Sequence, residues 1–125
     1  MVNQLLAIAA GGALGSVARY GMSISVYAVL GRGFPYGTLA VNVLGCLLMG
    51  FLTVLFLERL SVDGIWRAAI LIGVLGGFTT FSSFSIETFN LIESGELVKA
   101  GLNMALSLIL CVTATWLGAI IGRQL

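Results

Sequence analysis

A chain of 125 residues with 59% hydrophobic and 9% charged side chains cannot clothe a water-facing surface, since a soluble domain carries about 25% charged residues. Its mean hydropathy of +1.11 makes the bilayer its solvent, and the length suits a single compact membrane subunit, residues 1–125. A net charge of +1 gives no basic face for nucleic acid, and the absence of His removes the commonest general base and metal ligand, so the chain does not read as an enzyme.

A spanning helix needs roughly 20 mostly apolar residues, and four segments meet that requirement. The first runs from Asn3 to Leu30 with Arg19 as its only charge. It lacks a basic leader, and the apolar run continues past Arg19, so it reads as a retained helix rather than a signal peptide. No carboxylate occupies its middle, which separates the chain from a small multidrug-exporter-like dimer with a buried proton-exchanging Glu. After the loop "GRGFP" the second segment, Phe34 to Leu57, carries no charge. Thr38, Asn42 and Cys46 fall on one of its faces at i, i+4 and i+8. The loop "ERLSVDGIWR" leads to the third segment, Ala68 to Ile86, which can continue past Glu87 to Ile92. "ESGELVK" then leads to the fourth, Ala100 to Gly122, where Asn103, Ser107, Cys111 and Thr115 recur every four residues. A lone hydroxyl in a span commonly bonds its own backbone. Four polar groups in register, with an Asn on another helix, instead suggest a lining that protein or water sees. Cys46 and Cys111 lie in apolar runs and read as reduced, small core residues.

The third segment holds the densest signal, "GGFTTFSSFSIETF". Gly76 and Gly77 remove side chains at mid-span, and Thr79 and Thr80 are poor helix formers. A helix broken there would expose carbonyls suited to a cation or amides suited to an anion, and such backbone is tolerated only inside protein or beside a wet path. Past the break Phe81, Phe84 or Ser85, and Thr88 share a face, with Ser82 among the interleaved hydroxyls. A phenyl ring presents a positive edge, so ring edges, hydroxyls and amides could line the way for a small anion. Aromatic core packing explains the same residues equally well.

Loop charges set membrane orientation. Arg59, Arg67 and Arg123 stand on the side of the termini, against Arg32 and Lys99 on the other. That near-balance is compatible with weak bias or with insertion in both orientations and an antiparallel homodimer, which would supply the inverted repeat of larger transporters. Glycines at small-xxx-small spacing, Gly11/Gly15, Gly73/Gly77 and Gly118/Gly122, let helix backbones approach closely, within a subunit and between subunits.

"GGFTTFSSFSIET", "GTLAVNVLGCLLMG" and "GGALGSVARYG" together resemble the Fluc fluoride channels, also called CrcB proteins, over essentially the whole chain. The resemblance implies an all-α integral membrane fold of four transmembrane helices, the third broken at mid-membrane, paired as a dual-topology antiparallel homodimer in the bacterial inner membrane. It implies passive fluoride export through two pores. A structural sodium ion would be held at the dimer centre by backbone carbonyls of Gly76 and Thr79. Phe81, Phe84 and Asn42 take pore positions, as does the track Ser107, Cys111 and Thr115 preceded by Asn103. Cys111 departs from the hydroxyl expected there. Arg19 and Glu87 match charged positions near vestibules. A coupled fluoride/proton transporter would need a titratable group at mid-membrane, and Glu87, the nearest acid, looks too peripheral. A non-conducting scaffold would not need the aligned polar stripes.

Overall fold

The computed structural model describes residues 1–125, all helical apart from short connections. Helix α1 spans Val2–Leu30 and α2 spans Tyr36–Arg59. The third membrane crossing, Gly64–Glu93, consists of two helices, α3 (64–78) and α4 (Phe81–Glu93). The fourth is α5, Leu97–Gln124. These four crossings make the chain a multi-pass membrane protein. The expected segments hold, with the third beginning earlier than its apolar run. Asp63 starts it, its carboxylate accepting the Ile65 N–H at 3.1 Å, a side-chain cap that hydropathy does not register.

Wide turns occur where helices must adapt. Leu55–Arg59 and Ala68–Val74 are π-helical, and the Leu60 N–H reaches back five residues to the Leu55 carbonyl at 2.8 Å. Two positions require glycine. Gly31 ends α1 at φ +82° and Gly95 turns α4 into α5 at φ +81°, a left-handed region open to residues without Cβ.

Two tight helix pairs build the subunit. A Cβ at Gly11 or Gly15 would strike the Ala69 or Val74 carbonyl, so α1 lies directly on α3. On the other side, α2 and α5 run parallel. A Cβ at Gly50 would strike the Thr115 carbonyl, one at Gly118 the Leu47 carbonyl, and one at Gly122 would come within 2.9 Å of the Phe51 carbonyl. The small-residue pairs expected to serve both within and between subunits are therefore engaged inside one chain, and they carry no argument for an oligomer. Polar clasps fix the ends. Arg59 Nη2 donates to the Arg123 carbonyl at 3.0 Å at one end, and Lys99 Nζ donates to the Gly33 carbonyl at 2.9 Å at the other.

Only 21 of 125 residues are buried, so most of the apolar side chains face outward. That surface needs lipid or another subunit against it.

Candidate functional site

The break in the third crossing lies at Thr79 and Thr80, within the stretch expected to hold it and two residues beyond the glycine pair. Gly76 and Gly77 stay inside the last turn of α3, Leu75–Phe78. Thr79 (φ −87°, ψ 157°) and Thr80 (φ −151°, ψ 118°) are extended. Glycine weakens a helix without interrupting its hydrogen bonds. The threonines supply competing partners: Thr79 Oγ1 donates to the Leu75 carbonyl at 3.0 Å, and Thr80 Oγ1 accepts the Ser83 N–H at 3.1 Å as the N-cap of α4.

Asn42 on α2 completes the break. Its Oδ1 accepts the Thr80 N–H at 2.7 Å and its Nδ2 donates to the Thr80 carbonyl at 2.9 Å. One amide thus satisfies both backbone groups of an extended residue, as a neighbouring strand would. The carbonyls at the break lose their usual helical donors as a result, those of Gly76 and Thr79 among them. The N–H four residues after Gly76 is that of Thr80, taken by Asn42; the N–H four residues after Thr79 is that of Ser83, taken by the Thr80 hydroxyl. Gly76 is also exposed, with only the Leu71 carbonyl, 3.9 Å away, near an added Cβ.

Beside the break opens a cavity of about 530 Å³. Asn42 and Cys46 of α2, Thr79 and Thr80, Phe81 and Phe84 of α4, and Ser107 and Cys111 of α5 line it, with Met104, Leu108 and Val112 as its apolar wall. The Phe81 and Phe84 rings stand 5.3 Å apart at 45°, and Phe81 is 78% exposed in the single chain. The parallel pair α2 and α5 brings the two polar stripes level. Below the Gly50–Thr115 contact, each step of four residues repeats the pairing, so that Cys46 faces Cys111 and Asn42 stands opposite Ser107.

Two further cavities follow toward the loop end. One of about 210 Å³ is lined by Arg19, Thr38, Thr80, Ser83 and Glu87 among others, and Arg19 Nε is buried there without a partner. The next, about 310 Å³, is lined by Tyr27, Arg32, Glu87, Asn90 and Ser94 among others, and the Arg32 guanidinium lies 4.5 Å from the Tyr27 ring centre. Thr80 borders the first two cavities and Glu87 the last two.

The expected residues divide among these places. Thr38 does not join Asn42 at the large cavity; its hydroxyl donates to Glu87 Oε1 at 2.6 Å. Asn103 turns away to donate to the Thr88 hydroxyl at 2.8 Å, and Thr115 bonds its own helix at the Cys111 carbonyl. Ser82 and Ser85 are exposed on α4 and line none of the three cavities. Glu87 also accepts from the Tyr27 hydroxyl at its Oε2, 3.3 Å away, toward the loop end of the crossing, in keeping with its sequence position. Ser83 and Tyr27 went unnoticed in the sequence. Ser83 had a usable signal, lying three residues after a capping threonine and one turn before Glu87.

A family profile described as "CrcB-like protein, Camphor Resistance (CrcB)" matches residues 6–119. The chain belongs to that family. Among its CrcB-like relatives, one from Coxiella burnetii named fluoride-specific ion channel FluC is 57% identical over 125 residues, 99% of this chain and all of that one. A relative of the same name from Magnetococcus marinus is 53% identical over 120 residues, 96% of this chain and 98% of that one. Another, from Methylococcus capsulatus, is 52% identical over 122 residues, 98% of this chain but 54% of its own length. These CrcB-like relatives are named as channels and not as enzymes.

Proposed function

We propose that this chain is a passive fluoride-selective channel of the bacterial inner membrane, letting fluoride leave the cytoplasm through two pores of an antiparallel homodimer. The observation that carries this reading is the large cavity at the helix break. It gathers two phenyl rings, an amide, three hydroxyl residues and two thiols where lipid would tolerate none of the polar groups unpartnered. Channel filters work when each site attracts an ion enough to replace its water yet weakly enough to release it. Ring edges and neutral donors fit that requirement, whereas a fixed cation would hold a small anion too firmly. Fluoride itself is proposed from the names of the relatives, because no distance in the cavity separates fluoride from chloride.

The antiparallel pairing is supported by Phe81, a large exposed ring at mid-span, and by the nearly balanced loop charges. The implied sodium ion fits the chain's donor set. Gly76 and Thr79 carry the carbonyls whose helical donors are diverted, and Gly76 is open to a second subunit. Neutral carbonyls suit a weakly hydrated monovalent cation better than magnesium. Bound there, the ion would supply a fixed positive charge in a low-dielectric site.

One placement favours a second reading, a coupled fluoride/proton transporter: Glu87 borders two successive cavities and accepts from Thr38 and Tyr27. Fluoride efflux from liposomes holding the purified chain tests both. A channel and a fluoride/proton exchanger both need valinomycin so that potassium can carry the balancing charge, but only the exchanger brings protons in as fluoride leaves, which a pH dye inside the liposomes reads; absence of efflux with the shunt open contradicts both.

A further inference from the structure

We infer that Cys46 and Cys111 form a two-thiol site for a soft, thiophilic metal ion, and that an ion bound there closes the cavity to anions. The second clause rests on the channel reading; the first does not.

Register places the pair. The Gly50–Thr115 contact fixes α2 and α5 side by side, and one turn earlier on both parallel helices come Cys46 and Cys111. Both cysteines are free and half-buried, and both line the same cavity. No carboxylate and no histidine lines that cavity, so nothing there completes a set for zinc, which takes four ligands in structural sites. Soft thiolates select soft ions. Mercuric ion is satisfied by two sulfurs, and its complex is neutral: each thiol gives up one proton to the medium, two S–Hg bonds form, and two thiolate charges balance the divalent ion. Neutrality decides among soft ions here. A bis-thiolate complex of a monovalent ion would retain a negative charge in an apolar cavity, which is costly.

The bound ion would sit one turn along from Asn42 and Ser107, in the cavity whose α4 wall carries both phenyl rings. It would occlude the path by bulk and would tie α2 to α5 at the level where an anion must pass.

The test uses the full chain, purified in detergent and in liposomes, with mercuric nitrate in chloride-free medium. Metal analysis after desalting should find one mercury per wild-type chain, with both cysteines protected from a maleimide. Cys46→Ser and Cys111→Ser should each weaken mercury binding by about 100-fold, because the second thiol binds as an intramolecular partner. Two mercury ions per chain, or a single-serine variant that binds as tightly as wild type, would overturn the site. Flux is read separately, each protein normalised to its own metal-free rate. Fluoride efflux from wild type should fall at least tenfold at one mercury per chain, and each serine variant should need a large excess. One tightly held mercury with undiminished efflux would leave the metal site standing and would remove the cavity from the conduction path.

Discussion

At the scale of single residues, Asn42 does two jobs that a sequence shows as one. Read from the sequence it is a costly amide on a helix face. In the structure it also holds both backbone groups of Thr80, at 2.7 and 2.9 Å. Asn42→Asp keeps the acceptor and loses the donor, leaving the Thr80 carbonyl facing a carboxylate, and it can place negative charge in the anion's way. Flux in liposomes with equal reconstituted protein should fall at least tenfold, in line with the roughly 1–3 kcal/mol of an unmet buried partner. Asn42→Ser, which removes charge from the question, should be milder. Equal flux in the Asp variant would take residue 42 out of the path. The rings are tested differently. Replacing Phe81 or Phe84 with Ile keeps the bulk and removes the positive edge, so flux should drop by roughly tenfold while the protein still elutes at its wild-type size. Wild-type flux in both variants would reject an aromatic lining. Asn42, Phe81, Phe84, Ser107 and Cys111 were all legible as members of polar or aromatic stripes, because helical periodicity reports facing. Periodicity could not report that Asn103 is claimed by Thr88, or Thr38 by Glu87, since those bonds span 15 and 49 residues.

At the scale of elements, the glycines separate into two kinds that sequence spacing does not distinguish. Gly50 and Gly118 carry the α2–α5 contact, and any Cβ there meets a backbone carbonyl. Gly50→Val should therefore destabilise the subunit itself, on the order of 3 kcal/mol by overpacking, seen as a lower midpoint in thermal unfolding in detergent. Gly76 has open space where its Cβ would go. Gly76→Val should leave the monomer's unfolding midpoint within a few degrees of wild type while weakening subunit association and flux together, because the bulk falls where the second subunit and the sodium ion are proposed. A large loss of monomer stability in the Gly76 variant would show that it packs internally instead. The same distinction locates the break within its stretch. Composition marked "GGFTT" correctly as the interruption, but the cause lies in hydroxyl and amide partners at Thr79 and Thr80 rather than in the glycines. Thr79→Ser, which retains the hydroxyl, should keep flux within about twofold of wild type, each 1.4 kcal/mol being tenfold; a larger loss would assign the threonine methyl a role of its own.

At the scale of the whole molecule, four apolar crossings were readable from hydropathy because the bilayer imposes their length. How one subunit meets another was not, since the small-residue motifs that pointed to association are spent within the chain. The proposed antiparallel dimer is tested by charge. Two lysines added near Arg67 should fix one orientation and silence the chain alone, and a partner with two lysines added near Arg32 should restore flux. Activity of either chain alone, with topology reporters confirming a single orientation, would contradict an obligatory antiparallel pair. The central claim, passive and selective fluoride conduction, is tested most directly by current recording across a planar bilayer containing the purified chain. With chloride and pH equal on both sides, the current should reverse near fluoride's own equilibrium potential, moving about 59 mV for each tenfold change in the fluoride ratio. A reversal potential that ignores the fluoride ratio, or that follows a pH difference imposed at equal fluoride, would contradict the account.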